Sequence, residues 1–168
     1  MSESELRELL SRIDELENRV YLRMDYRERS LPGPPATQEQ IGEIEATFRC
    51  TLPEAYRLFL SIHNGWEHWS GDVALLSTEQ MLRGQYAQRI AQWKQKELVR
   101  GNRLVANSLV IGFSLFVGEQ IMIDLSSRKG SEIVTWDKGE EEHFPDFYAY
   151  LINFETIVKQ ELAGDLLA

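Results

Sequence analysis

The side chains best suited to metal chemistry are few in this sequence and far apart. It contains His63, His68 and His143, with Cys50 as its single cysteine. His63 and His68 flank Asn64–Gly65, residues typical of a helix stop, so the two rings cannot be assumed to share one helical face. A structural zinc site needs closely paired Cys or His ligands, and a catalytic one needs three ligands of suitable geometry. We therefore expect no metal site and no cofactor, with Cys50 as a small core residue.

Nucleophilic and phosphate-binding motifs are also missing. The sequence has no GxSxG elbow, no Walker loop, no GxGxxG after a strand and no HExxH. The common schemes for acyl transfer, nucleotide binding and zinc proteolysis therefore have no residues to use. Asp124 could act as a general base, but a carboxylate on the solvent side of a central strand is more typical of a hydrogen-bond partner within a hairpin. We expect no catalytic residue.

Two tryptophans with charged neighbours suggest a recognition surface. Trp66, Glu67, Trp69 and Asp72 lie in a segment that the sequence predicts to be a loop. Loops often carry function, and tryptophan is enriched at binding hot spots, so these four residues are candidates for contact with a protein partner. The alternative is that both indoles fold back over the edge of the core.

The net charge of the chain is unevenly distributed. Of the formal charge of −9, residues 1–31 contribute −2, residues 32–131 contribute 0 and residues 132–168 contribute −7. Phosphate repels such an acidic surface, and affinity for nucleic acid comes mainly from Lys and Arg, so we expect no nucleic-acid binding. An acidic end on a neutral body suits a basic protein partner. The alternative is that the excess charge serves only solubility.

Four carboxylates of the acidic segment form the second part of the candidate binding site. The segment DKGEEE is predicted to be a tight turn that exposes Asp137, Glu140, Glu141 and Glu142. Exposed charges accelerate association with a surface of opposite sign. A cationic stretch is also present, and we interpret it as a solvated helix face rather than as a phosphate or acidic-partner site. It comprises Arg83, Arg89, Lys94, Lys96, Arg100 and Arg103.

The elements that position these residues are organised around a predicted pair of helices. Thr37 followed by Gln40 indicates a capping box at the start of the first helix. Leu52–Pro53–Glu54 predicts the start of the second, with proline at the first helical position, and Asn64–Gly65 predicts its left-handed stop. The buried stripes are Ile41, Ile44 and Phe48 in the first helix, and Tyr56, Phe59, Leu60 and His63 in the second.

An amphipathic helix precedes this pair. Residues 3–29 place apolar side chains at coiled-coil spacing, but over too few heptads to argue for a coiled coil. We expect this helix to dock on the body of the same chain, which favours a monomer, and residues 31–35 to form a stiff connector. The stripe consists of Leu6, Leu9, Ile13, Leu16 and Val20.

The rest of the chain predicts an α+β fold. Apolar runs indicate about four strands in a small, mostly antiparallel sheet, with helices packed on it. Pro145 and Asp146 open a last helix that ends near Gly164 and closes the core. The strands are predicted at 73–76, 109–113, 120–125 and 132–136. We expect residues 1–31 to be the docking helix and residues 32–168 a single α+β domain.

The order of motifs over residues 37–155 resembles the SUKH superfamily, which groups fungal cell-wall-assembly regulators with bacterial toxin-immunity proteins. Trp66 departs from the pattern, since many members carry a second glycine there. The residues that carry the resemblance are Leu52–Pro53, Tyr56, Phe59–Leu60, Asn64–Gly65, and Gly118 with Ile121 and Ile123–Asp124–Leu125.

This resemblance implies a non-catalytic protein-binding domain. The most concrete version is an immunity protein that binds and neutralises a bacterial toxin, often a nuclease in this family's setting. The alternatives are an interaction or scaffold module in cell-wall or signalling regulation and, as a third class, an enzyme. The sequence has no apolar run of the ~20 residues that a membrane span requires, and its start lacks the features of a signal peptide. We therefore expect a cytoplasmic protein with no membrane partner.

Overall fold

The fold is that of a computed structural model, which describes residues 2–23, 29, 31–116, 118–126, 131–137 and 139–164. The helices are α1 (Glu3–Arg23), α2 (Gln38–Phe48), α3 (Glu54–Ile62), α4 (Thr78–Leu82), α5 (Gly84–Val99) and α6 (Phe147–Ala163), with a 3₁₀ turn at Leu104–Asn107. The strands are β1 (Leu31–Pro32), β2 (Trp66–Ser70), β3 (Val73–Leu75), β4 (Ser108–Ser114), β5 (Gln120–Asp124), β6 (Glu132–Asp137) and β7 (Glu140–Phe144).

The strands form one antiparallel meander in the order β1-β2-β3-β4-β5-β6-β7. This confirms the α+β class, but the expected number of about four strands is wrong. The three additional strands come from segments predicted as a connector (β1), a loop (β2) and a turn (β7). Their own residues carry little strand signal, because β1 holds a proline and β7 holds consecutive glutamates, which are disfavoured in strands. Pairing with neighbouring strands makes them strands: β1 pairs with the distant β2, while β2 and β7 also form hairpins with β3 and β6.

The capping box at the start of α2 is confirmed. The Thr37 hydroxyl accepts a hydrogen bond from the Gln40 backbone N–H at 3.2 Å, and the Gln40 side chain accepts one from the Thr37 N–H at 2.8 Å. Ile41 and Ile44 are buried as predicted. Phe48 is exposed, contrary to prediction, because it is the last helical residue before the chain turns away at a left-handed residue.

Helix α3 ends at Ile62, before Asn64–Gly65, where the sequence predicted the left-handed stop. Phe59 and Leu60 are fully buried, while Pro53 is the N-cap rather than the first helical residue. His63 lies outside the helix in an extended conformation, so it does not belong to the buried helical face. Gly65 has a φ of +86° and provides the predicted left-handed residue.

Helix α1 packs along α6 and also contacts α3. Its apolar stripe is buried in the core, with Leu9 and Ile13 both at 0% exposure. The Arg12 guanidinium lies 2.8 Å from the Glu155 carboxylate of α6, and this hydrogen bond lowers the pKa of Glu155. The part of the predicted helix at residues 24–28 lies outside the described residues. None of the helices in the described residues combines the length and apolar character needed to cross a membrane.

The two faces of the sheet are covered by different helices. Phe144 contacts Tyr150 of α6 with ring centroids 5.5 Å apart, and it pairs with Ile133, which pairs with Ile123. Directly paired residues project to the same face, so this row faces α6. Gln120 lies three residues before Ile123 on β5 and therefore projects to the opposite face.

A row of four paired residues crosses that second face. Phe113 pairs with Gln120, Gln120 with Trp136, and Trp136 with Glu141. At the β4 end of this row, the indole of Trp93 on α5 contacts the Phe113 ring at 6.3 Å. The second face therefore runs from α5 to the edge strand β7.

Candidate functional site

The acidic hairpin, which we define as Asp137, Glu140, Glu141 and Glu142, lies at the turn between β6 and β7. Asp137 is the last residue of β6 and pairs with Glu140. Gly139 has a φ of +101°, which favours glycine, so the chain returns at once and the three glutamates form part of β7. The predicted six-residue turn is thus mostly strand, and residue 138 lies outside the described residues.

All four carboxylates of the acidic hairpin are exposed. Among the described residues, no ion pair holds Asp137, Glu140 or Glu142. Asp137 and Glu140 face each other directly across the strands, an arrangement of like charges that costs free energy. Burial, and secondarily the nearby Asp137 carboxylate, raise the pKa of Glu119. The hairpin therefore carries more negative charge than its turn and strand pairing need in order to form.

His143 connects the two strands on the face that carries Glu141. Its Nδ1 lies 2.7 Å from the Glu132 carboxylate, and its Nε2 lies 3.1 Å from the Glu141 carboxylate. The hydrogen bond with Glu132, followed by that with Glu141, raises the pKa of His143, while partial burial opposes the shift. Both ring nitrogens are placed to donate, as in the imidazolium form. The two carboxylates therefore favour the charged form of His143 beside the hairpin.

The two indoles predicted as partner anchors lie in the core. Trp66 is 1% exposed and Trp69 is 0% exposed. The Trp69 Nε1–H donates to the Tyr150 hydroxyl at 2.7 Å, and its ring stacks on Phe154 at 4.2 Å. The alternative interpretation of this segment, in which the indoles fold back on the core, is the one that the structure shows. The reason is that residues 66–70 form an irregular strand. A register shift in this strand, with His68 at a φ of +52°, accompanies the burial of both Trp66 and Trp69, although they are three residues apart.

The structure separates Glu67 and Asp72 from the acidic hairpin. Both side chains are exposed, Glu67 on β2 and Asp72 in the turn before β3. Strands β2 and β7 are five strand spacings apart in the sheet order, which corresponds to about 24 Å. The eight residues of the predicted binding site therefore fall into a buried pair, an exposed pair at one end of the sheet and the acidic hairpin at the other.

A depression that the sequence did not reveal lies between α5 and the ends of β4 and β5. We call it the α5 groove. It has a volume of about 390 Å³. The spacing of Arg89, Trp93 and Lys96 is visible in the sequence, but the opposite wall depends on the packing of α5 against β4. The lining residues are Arg89, Gln92, Trp93, Lys96, Phe113, Ser114, Leu115, Gly118 and Gln120.

The predicted cationic stretch is exposed to solvent as interpreted, except for the half-buried Lys94, but its side chains have different surroundings. The helix is interrupted at Arg83, which pairs with Glu43 of α2, because Gly84 has a left-handed φ of +79°. The Lys94 ammonium donates to the Ser108 backbone carbonyl, and Arg100 pairs with Glu97 at 2.8 Å. Arg89 and Lys96 instead line the α5 groove. The packing thus divides five of the six charges between structural contacts and a concave surface, and Arg103 is simply exposed.

Groups with catalytic or metal-binding potential have local partners. The Asp124 carboxylate accepts hydrogen bonds from the backbone N–H and the hydroxyl of Ser126 at 2.8 Å and 2.6 Å, which is the hairpin role predicted for it. Cys50 is half-buried, and burial raises the pKa of its thiol. In the described part of the chain, no group of three or more metal-ligating side chains converges.

Comparison with known proteins identifies a family. The family model described as the SMI1 / KNR4 family (SUKH-1) matches residues 35–156, from the connector before α2 into α6. The match includes both the acidic hairpin and the α5 groove, and it leaves out α1. A search of curated proteins finds no match to the chain. Because the match covers most of the sequence and confirms the resemblance carried by its motifs, the chain belongs to the SMI1/KNR4 family (SUKH-1).

Proposed function

We propose that this chain is a non-catalytic immunity protein that binds a bacterial toxin through its acidic hairpin. The observation that carries the proposal is the set of four exposed carboxylates at the end of the sheet, next to one another and, except for Glu141, without cationic partners among the described residues. Membership of the SMI1/KNR4 family supports a binding role, since its relatives include immunity proteins by the resemblance noted above.

The partner that suits this surface is a protein with a basic face, such as a nuclease. A nuclease carries Lys and Arg side chains where it holds phosphate. The acidic hairpin presents carboxylates on an exposed strand, so it can meet the same cations and block access to the nucleic acid. Such charges steer the encounter and act within ~8 Å at physiological salt. Inhibition is then stoichiometric and needs no chemistry.

The proposal takes a different tryptophan as the aromatic part of the contact. Trp66 and Trp69 are buried, whereas Trp136 is half-buried and pairs directly with Glu141 on the same face of the sheet. An aromatic ring beside the exposed carboxylate of Glu141 provides apolar contact area where the charges have already brought the partner close. We assign Trp136, rather than the two core indoles, to the slow-dissociating part of the contact.

The test compares charge reversals at the two ends of the sheet. The probe is the protein encoded beside this gene, with binding kinetics measured at low and physiological salt. Glu140→Lys with Glu142→Lys should slow association severalfold at low salt and much less at physiological salt. The matched control is Glu67→Lys with Asp72→Lys, which changes the net charge equally on exposed residues about 24 Å away and should leave the association rate near that of the wild type.

Two outcomes would contradict the proposal. If both double variants slow association equally, the partner responds to net charge and not to the hairpin. If only the Glu67 and Asp72 variant slows it, the binding surface is at the β2–β3 end. In each case circular dichroism shows that the variant is folded, and growth of cells that co-express the neighbouring protein shows whether neutralisation is retained.

A further inference from the structure

The α5 groove combines features that the acidic hairpin lacks. Its floor and walls include the apolar side chains of Trp93, Phe113 and Leu115. Its volume of about 390 Å³ is at the lower end of the range for ligand pockets and is sufficient for a large side chain and its flanking backbone.

Gln120 contributes a buried polar group to the wall of this groove. The residue is 2% exposed, and its side-chain oxygen has no hydrogen-bond partner among the described residues. A buried acceptor without a donor is costly, and such a group in a native structure calls for an explanation. A ligand that brings an N–H group into the groove, such as a peptide backbone, supplies the missing donor after a small rotation of the amide.

The rim of the groove is cationic. Arg89 and Lys96 are exposed and lie two turns of α5 apart, and neither forms an ion pair within the described part of the chain. Of the other cations on α5 and at its ends, Arg83 pairs with Glu43, Arg100 pairs with Glu97, and Lys94 donates to a backbone carbonyl. Two free cations beside an apolar floor complement a carboxylate next to an apolar side chain.

Exposed apolar residues extend the surface beyond the groove. Val99, on the same helix, is 85% exposed and lines a second depression that shares Gln92 and Lys96 with the groove. Phe116, in the segment that follows β4, is 83% exposed. Large apolar side chains exposed this far beside a cationic groove mark a surface that a partner covers.

We propose that the α5 groove binds an acidic segment of a protein, with one aromatic or aliphatic side chain of that segment seated against Trp93 and Phe113. Its carboxylates pair with Arg89 and Lys96, and one of its backbone N–H groups meets the Gln120 side chain. This surface has the opposite charge to the acidic hairpin. The proposal does not depend on the hairpin's partner being a toxin.

The test uses short synthetic peptides and the full chain. A dye-labelled peptide in which glutamates flank a single phenylalanine should bind saturably in fluorescence anisotropy. Reversal of both rim charges, Arg89→Glu with Lys96→Glu, should weaken binding about tenfold at low salt. Gln120→Met removes the acceptor and should weaken it about fivefold. The control is Arg7→Glu with Arg19→Glu on α1, which changes the net charge equally on exposed residues and should leave peptide affinity unchanged.

Peptide controls separate groove binding from general electrostatics. An otherwise identical peptide with alanine in place of phenylalanine should bind more weakly, and one with lysines in place of glutamates should not bind. Equal binding of either control peptide would overturn the proposal, as would an equal loss in the α1 variant. If no peptide binds, but the Arg89 and Lys96 variant dissolves an oligomer seen in wild-type light scattering, the occupant is a second copy of this chain and the proposal is wrong.

Discussion

Replacing Gly65 by alanine should destabilise the protein far more than the same change at Gly101. Both glycines have a φ of +86°, so a side chain at either position meets the same backbone strain. They differ in their surroundings. A Cβ at Gly65 would lie 2.6 Å from the Ser77 backbone N, whereas a Cβ at Gly101 would have no heavy atom within 4 Å. Comparing the two alanine variants therefore separates the effect of backbone strain on stability from the effect of steric overlap.

The expected magnitudes follow from these two terms. Alanine in the left-handed region costs about 1 kcal/mol after the gain from a less flexible unfolded chain is subtracted. Gly101→Ala should thus lower the free energy of unfolding by about 1 kcal/mol. At Gly65 the chain must also move backbone that starts the capped helix α4, because Ser77 is its N-cap. Overpacking of this kind adds about 1–3 kcal/mol, which gives a total of about 2–4 kcal/mol.

Urea unfolding followed by tryptophan fluorescence measures both variants on the same signal. A loss of 2–4 kcal/mol corresponds to a fall in the melting temperature of about 5–15 °C for a chain of this size, which thermal circular dichroism checks independently. If Gly65→Ala and Gly101→Ala destabilise the protein equally, the backbone of Ser77 is not in contact with the turn as the structure places it. If neither has an effect, the left-handed conformations themselves are refuted.

Two further predictions concern Trp69 and His143. Trp69→Phe leaves the buried Tyr150 hydroxyl without its donor and should lower the free energy of unfolding by about 2–4 kcal/mol in urea titrations, without changing association with the hairpin's partner, because the indole is buried. The pKa of His143 is raised from its ordinary 6.5, so the stability that it contributes is fully present below about pH 6.5 and is lost as the pH rises through the raised value. Urea titrations across this window should show that loss in the wild type and not in His143→Gln. A persistent slope in the variant would place the titrating group elsewhere.

The features that the sequence predicted well are those whose partners are close along the chain. The capping box joins Thr37 to Gln40, three residues away, and the hydrogen bond of Asp146 to the Ala149 N–H spans the same distance. Gly65 has the predicted left-handed φ, although it lies two residues beyond the extended C-cap of α3, His63. Local interactions of this kind depend on the residue types at neighbouring positions, so they can be predicted from the sequence. The family motifs can be recognised in the sequence because they too consist of residues close together along the chain.

Strand β7 was missed although its partner β6 is adjacent, because glutamate is disfavoured in strands, but other missed features depend on partners far along the chain. Trp66 pairs with Leu75 and with Pro32, so β2 becomes a strand only when both neighbours are in place. The core position of Trp69 depends on Tyr150, which lies 81 residues later. Tryptophan is suited to both an interface and a core, and only the tertiary neighbours decide between them. The α5 groove was missed because its opposite wall belongs to other elements.

The edge strand β7 could pair with other chains, and the charges of the acidic hairpin affect which chains can do so. In the described sheet β7 is the last strand, and an edge strand offers backbone groups to any extended chain, including a second copy of the same protein. Two copies joined edge to edge at β7 would bring Glu140, Glu141 and Glu142 against identical carboxylates, so self-pairing is disfavoured. A basic partner would instead be attracted by the same carboxylates. On the function proposed here, the glutamates of β7 therefore exclude the wrong partner and attract the right one by the same charge.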